Sequence, residues 1–418
     1  MDDQLKKQDP EIFTAIEKEY QRQLSTLNLI ASENYPSPAV TAAQNSIFWS
    51  KLAEGYPGWR FAAGCEQVDV IENLAIDRLK KLFGAEYVNV QCPTATQANI
   101  AVYYALLEPG DGILAMKITD GGHFTHGSPA HISGKLYKFV NYGVKKQTNR
   151  IDYEQVASLA RKHKPKLIIA GASAYPRTID FEKFGRIARD VGAYLMADIA
   201  HIAGLVAADL HLDPFPHADV VTTSTHKTFR GPRGGGVILA KKELGKKIDF
   251  AVFPGTQGAP IMNMVASRAT LFKEAMSEKF KTYQKQILAN AKALGNELQS
   301  NGINLITGGT DNHLLLVDLR ELGITGVEAE NDLAQAGIIL NKNMIPYDPL
   351  KFDVTSGLRI GSPALTTRGL KEQQMQEVGR LITTVLKNKG NAQILEEAKE
   401  AAGALASQYP IFSEEWIE

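Results

Sequence analysis

The sequence predicts an α/β protein whose mostly parallel sheet is covered by helices on both faces. Between about residues 66 and 240, amphipathic stretches alternate with short apolar runs, the pattern of strands joined by helical crossovers. At 418 residues the chain exceeds one ordinary core, and roughly two or three domains are expected. A second, shorter alternation of helix and strand follows a long stretch at 261–300 rich in Ala, Leu, Lys and Glu.

Taken in order, "VDVIENLAIDRLKKLFG" places Val68, Ile71, Leu74, Leu79 and Leu82 on one helical face, and "YVNVQ" reads as the strand after it. Helix 96–107, strand "GILAM", helix 153–162, strand "KLIIAG", helix 181–191 and the strands "AYLMAD" and "DVVTTST" continue the series. Residues 261–300 read as long helix. "HLLLVDL", a helix near 327–336, "SGLRIGSP" and two terminal helices form a smaller α/β unit, and a helix near 10–25 precedes everything. The division expected is an N-terminal helical segment at 1–60, a large domain at 61–270 and a small C-terminal domain at 271–418.

Composition narrows the function. Hydrophobic residues at 44% and charged residues at 22% suit a protein that buries a large core. Lys plus Arg (46) cancels Asp plus Glu (46), so no global field favours nucleic acid or an anionic membrane, and small-molecule partners are expected. The opening "MDDQLKKQDPEIF" has no apolar segment of the secretory kind. "AYLMADIAHIAGLVAA" carries Asp198 and His201 near its middle, costly in lipid, and reads as buried protein core. Cys65 and Cys92 are too few for a disulfide scaffold and fit a reducing cytoplasm. His123 and His126 in "HFTH" have no carboxylate at ligand spacing, so no metal site is expected.

In such sheets ligands sit at the carboxyl ends of the strands. After "YVNVQ" comes "CPTATQAN", where Thr94 and Thr96 precede a helix whose free N–H groups suit a phosphate; a plain helix cap explains them equally well. After "AYLM" comes Asp198, with His201 three residues on, and after "DVVTTST" come His226 and Lys227. A carboxylate at one strand end and a lysine at another fit an aldehyde cofactor: the amine forms an imine and the carboxylate keeps a ring nitrogen protonated.

The segments "LNLIASEN", "AEGYPG", "GGHFTHGSP", "SGKLY", "MADIAHIAGLVAA", "THKTFRGPRGG", "VFPGTQG", "GGTDNHLLLVDLR" and "TSGLRIGSPALTTRG" make the sequence recognisable. From about residue 10 to 385 the chain resembles serine hydroxymethyltransferase, a pyridoxal-phosphate enzyme. The resemblance implies fold type I, the aspartate-aminotransferase type, with a mostly parallel seven-stranded sheet in the large domain. It also implies a homodimer, or a dimer of dimers, whose active sites are shared across an interface that includes segment 1–60. Pyridoxal 5'-phosphate would be covalent on Lys227, with Asp198 on its ring nitrogen and His123 stacked on the ring. Thr94, Ala95, Thr96, Ser173, His201, Ser224, His226 and Gly258 would complete the cofactor site. A small amino-acid substrate would meet Arg359 through its carboxylate, with Ser32 and His201 beside it, and Glu54 would shuttle a proton at its hydroxyl. Tetrahydrofolate, the family's one-carbon carrier, would meet Ile118, Gly122, Phe124 and Asn343.

Departures from the family pattern gather around substrate and carrier. Where members usually read "YAEGYPGKRYYGG", this chain reads "LAEGYPGWRFAAG", so that Leu52, Phe61 and Ala62 replace tyrosines. "PHSGS" becomes "CPTAT", Asp120 replaces a histidine, Phe124 a leucine, and "GGPLMH" reads "GAPIMN". The expected reaction makes or breaks the Cα–Cβ bond of a β-hydroxy α-amino acid, by default serine with tetrahydrofolate. A folate-independent aldolase or transaldolase acting on threonine, α-methylserine or a larger aldehyde is the alternative. Other chemistry on the same cofactor (transamination, racemisation, elimination) and a non-catalytic cofactor-binding protein stand behind these.

Overall fold

The computed structural model describes residues 3–412. Its centre is a seven-stranded sheet: β1 (Tyr87–Asn89), β2 (Gly112–Met116), β3 (Lys138–Tyr142), β4 (Leu167–Gly171), β5 (Tyr194–Asp198), β6 (Val220–Ser224) and β7 (Gly236–Ala240). Their order across the sheet is β1-β7-β6-β5-β4-β2-β3. The pairings among β2 to β6 are parallel, and only β7 runs against its neighbours. Two strands escape the helix–strand alternation of the sequence. β7 follows β6 through a glycine-rich turn with no helix between, and β3 mixes polar and apolar residues at the sheet edge.

The period of two along each strand sorts the core into two layers. Leu114, Ile168, Leu195, Val221 and Leu239 join one cluster, while Ile113, Leu167, Ile169, Met196, Val220 and Ile238 join the other. On the first face lie α2 (Glu66–Phe83), α4 (Tyr153–His163), α5 (Phe181–Val191) and α6 (Met262–Ala275), and on the second α3 (Ala95–Leu106). Each fully buried aliphatic side chain contributes roughly 1.5–3 kcal/mol relative to exposure. Asp180 caps α5 by accepting from the Lys183 amide over 2.9 Å, and Gly192 ends it at φ 70°, a conformation that costs a glycine little.

The long helix expected at 261–300 is two. α6 stops at Ala275, and α7 (Glu278–Ser300) starts afresh because the Ser277 hydroxyl accepts from the Phe280 amide. α6 packs on α2 in the large core, whereas α7 turns Leu294 and Leu298 toward a second core. That core lies on an antiparallel sheet of β8 (Asn304–Leu305), β9 (Leu314–Asp318), β10 (Asn341–Asn343) and β11 (Gly357–Gly361), in the order β8-β9-β11-β10. Leu315, Val317, Leu358 and Ile360 meet Met375, Val378 and Ile382 of the helix Glu372–Lys387 there. The N-terminal chain divides: after α1 (Pro10–Ser25), Leu27 and Asn28 pair in parallel with Ile338 and Ile339 on this side, whereas Val40 and Ala53 join the large core.

A dense joint connects the two sheets near the strand ends. Arg177 donates to the Thr307 carbonyl and hydroxyl and pairs with Asp311 at 2.7 Å, while the Asn312 amide donates to the Tyr175 carbonyl. "AYLMADIAHIAGLVAA" proves to be β5 followed by the short buried helix Ala203–Ala207. Among the described residues no helix is long and apolar enough to cross a membrane.

Candidate active site

The carboxyl ends of β1, β2, β4, β5 and β6 converge on a cavity of about 600 Å³, closed on its other side by β10, β11 and the segment between them. Asp198 is the last residue of β5. Its Oδ2 accepts from His126 Nε2 at 3.0 Å and Asn99 Nδ2 at 2.9 Å, and its Oδ1 from the Ala200 amide at 3.1 Å. Burial pushes this carboxyl up, but the His126 hydrogen bond, the nearby His126 and His123 and the Asn99 amide outweigh burial and hold it well below the ordinary carboxylate range.

The next strand brings the lysine. β6 ends at Ser224, whose hydroxyl donates to the Ala200 carbonyl and accepts from Lys227 Nζ at 3.0 Å. Asn34 holds the Lys227 carbonyl at 2.8 Å, and the Thr228 hydroxyl donates to the His201 carbonyl, so both flanks of the lysine are fixed to neighbouring segments. Burial lowers the amine to about 8; Asp198 pulls against that, and the cations Arg359 and Arg233 add to it.

Thr94 ends the approach to α3 and caps it, its hydroxyl accepting from the Gln97 amide at 3.1 Å. Thr94, Ala95 and Thr96 line the cavity at this helix N-terminus, so the capping and ligand-facing readings of the segment coexist. Gly236 is needed beside it, since a Cβ there would sit 2.1 Å from the Thr94 carbonyl oxygen. That close approach is what the glycines after Lys227 permit.

His123 and Phe124 follow β2 at the cavity wall. The Thr125 amide donates to His123 Nδ1 at 3.2 Å, which makes that nitrogen an acceptor; the Thr125 hydroxyl, 2.8 Å away, then donates to it as well, and His123 carries its proton on Nε2. Burial lowers its pKa to about 4. His201 is lowered too, by burial and then by the charges of Lys227 and Arg359; it stacks on His313 with Nδ1 and Nε2 3.3 Å apart. Arg359 of β11 donates to the Ser173 carbonyl at 2.8 Å and to Asn341 Oδ1 at 3.2 Å, and the Ser173 hydroxyl donates to the Gly122 carbonyl.

The fold thus brings Ser32, Thr94, Ala95, Thr96, Ile118, Gly122, His123, Phe124, Ser173, Asp198, His201, His226, Lys227, Asn343 and Arg359 to one cavity. Ser224 lies just beneath it, under Lys227. Glu54 and Gly258 stand elsewhere on this chain, beside one another: a Cβ on Gly258 would be 3.4 Å from Glu54 Oε1. The hairpin bearing Glu54 is held by Arg60, which donates to the Ala53 and Gly55 carbonyls and pairs with the buried Glu72 at 2.6 Å. His126, Asn99 and Arg233 also shape the cavity and were not singled out by sequence reasoning as cofactor contacts. The second histidine of "HFTH" was the signal for the first of these.

Pyridoxal phosphate fits these residues. An amine brought down to about 8 stands with an ionised carboxyl at the neighbouring strand end and a helix N-terminus across the cavity, and His226 Nδ1 is buried without a partner. The volume is also within the range of cofactor pockets, about 300–1,000 Å³. A family model described as serine hydroxymethyltransferase matches residues 5–382 of the 418. By sequence and by fold, then, the chain belongs to the serine hydroxymethyltransferase family, whose members depend on pyridoxal phosphate and share the type I fold.

Proposed function

We propose that the chain is a hydroxymethyltransferase or aldolase-type transferase that makes or breaks the Cα–Cβ bond of a small β-hydroxy α-amino acid. The observation that carries this reading is the convergence of Lys227, Asp198 and Arg359, from β6, β5 and β11, on one cavity. Bound pyridoxal phosphate supplies the electron sink that cleavage at Cα requires.

The chain's own residues then have separable tasks. Thr94, Ala95 and Thr96 would hold the phosphate at the helix N-terminus, and His123 would pack on the ring. Asp198, kept ionised, would hold a proton on the ring nitrogen. Lys227 offers a neutral amine for attachment near pH 8. Arg359 would bind the substrate carboxylate, with Ser32 and His201 beside it, and so would orient the substrate for cleavage at Cα. Glu54 carries the proton of the substrate hydroxyl.

Glu54 and Gly258 reach a cavity only if a second copy presents them. The segment that holds Glu54 is flanked by exposed Ile47 (73%), Trp49 (69%) and Phe61 (68%), an apolar surface of the kind that association covers. A homodimer with shared active sites, or a pair of such dimers, follows from this reading. The soluble reaction would be cytoplasmic.

Serine with tetrahydrofolate is the default pair, Ile118, Gly122, Phe124 and Asn343 being the carrier side. The folate-independent reading, on threonine, α-methylserine or a larger aldehyde, is favoured by one observation: Phe124 meets Phe352 edge to face at 5.7 Å, so an aromatic pair occupies the cavity mouth. A screen of serine, threonine and α-methylserine with and without tetrahydrofolate tests both. Serine cleavage that needs the carrier supports the default, carrier-independent cleavage supports the second, and no cleavage of any β-hydroxy amino acid overturns the proposal.

A further inference from the structure

Behind the helix N-terminus lies a charge that the cavity does not touch. Arg268, on α6, is fully buried. Its Nη1 donates to three carbonyls, Val90 at 2.5 Å, Cys92 at 3.1 Å and Gly236 at 3.3 Å, and its Nε donates to Met264 at 3.0 Å. Its Nη2 is buried without a partner. Among the described residues no carboxylate comes within ion-pair distance of it; Glu72, whose charge bears on it, is already paired with Arg60.

Such an arrangement is costly. A guanidinium removed from water and given only carbonyl dipoles loses more solvation than those dipoles return, and burial accordingly lowers its pKa to about 10. The position of the cost is informative. Val90 and Cys92 lie on the segment leading from β1 into Thr94, and Gly236 opens β7 directly against the Thr94 carbonyl. The Gly236 amide also donates to the Cys92 carbonyl at 2.9 Å. Arg268 therefore fixes both backbones that cradle the N-terminus of α3 and places an unneutralised positive charge behind it.

We propose that Arg268 is a positioning residue for the phosphate of the cofactor, acting from behind the cradle without touching the ligand. An anion at the α3 N-terminus would meet the helix dipole and, beyond one layer of backbone, a cation that no carboxylate pairs. The charge selects a phosphorylated ligand over its uncharged counterpart, and the three carbonyl bonds keep the cradle in shape. This inference rests on the reading that the cavity holds pyridoxal phosphate.

Binding constants separate charge from scaffolding. Full-length protein stripped of cofactor is titrated with pyridoxal phosphate and with pyridoxal, which lacks the phosphate, for the wild type, Arg268→Gln and Arg268→Lys. Arg268→Gln should weaken pyridoxal phosphate ~10- to 100-fold and pyridoxal less than ~3-fold. Arg268→Lys keeps the charge with fewer bonds and should leave both within ~3-fold. Equal weakening of both ligands by Arg268→Gln, or no weakening, overturns the inference. Should Arg268→Gln fail to fold, Arg268→Lys decides: retained preference for the phosphorylated ligand supports a charge role, and its loss overturns it. A wild-type protein that binds neither ligand sinks the cofactor reading itself, whereas binding with an unaltered preference in Arg268→Gln sinks only the role of Arg268.

Discussion

His126 Nε2 donates to Asp198 Oδ2 over 3.0 Å, and the Asn99 amide donates to the same oxygen over 2.9 Å. Two donors on one buried oxygen hold the acid ionised against the cost of burial. Asp198→Asn removes the negative charge at the ring nitrogen and should lower kcat ~10²-fold or more, about 3 kcal/mol. His126→Phe keeps the carboxyl but removes a donor that favours its anion, so the Asp198 pKa rises. With the ionised form as the active one in the proposed reaction, the acid limb of a kcat/KM profile should move to higher pH; an unmoved limb would detach His126 from this role.

In the proposed reaction Lys227 takes up the cofactor as the neutral amine. With its pKa lowered from 10.5 to about 8, the uptake rate of stripped protein should climb to about pH 8 and level off above it. Arg233→Gln removes one of the cations that lower the amine, so its curve should lie at higher pH than that of the wild type. Following the visible absorbance after mixing at each pH checks this, and a rate still climbing near pH 10 would contradict the lowered amine.

Arg359 can grip a carboxylate with two parallel bonds, which a lysine ammonium cannot reproduce. Arg359→Lys should raise KM for the amino acid ~10- to 100-fold. Steady-state kinetics with the cofactor in excess provides the measurement, and an unchanged KM would place the substrate carboxylate elsewhere.

Restoring the family tyrosines, Leu52→Tyr with Ala62→Tyr, adds two hydroxyls and fills space on the segment that holds Glu54. Serine cleavage with tetrahydrofolate should rise relative to cleavage of bulkier substrates. A ratio of kcat/KM values that does not move would make these two positions incidental to specificity.

The joint between the sheets has its own test. Arg177→Ala loses the bonds to Thr307 and Asp311 and should cost about 1–2 kcal/mol, the pair with Asp311 adding little because that partner is partly exposed. The urea midpoint reads this loss, provided that the m-value is unchanged.

Much of this site could be read from the sequence because strand ends are written locally. "AYLMAD" and "DVVTTST" each announce a buried strand and the polar residue that ends it, which places Asp198 and Lys227 at one edge of the sheet before any coordinates are known. His313 and Arg268 are different. One precedes β9 of the second sheet and stacks on His201 of the first, and the other occupies a helix whose pattern says only that it is buried. Their neighbours are set by how two sheets and α6 pack together, which period and spacing do not encode. The same limit explains the break at Ser277: composition is helical on both sides, and a single hydroxyl cap redirects the chain between two cores.

The most direct test is to trap the cofactor where it is bound. Purified protein loaded with pyridoxal phosphate is reduced with borohydride, digested and read by mass spectrometry. The reduced cofactor should appear on the peptide containing Lys227, at about one per chain. Label on another lysine, or no label on a folded and loaded protein, would contradict the assignment of Lys227.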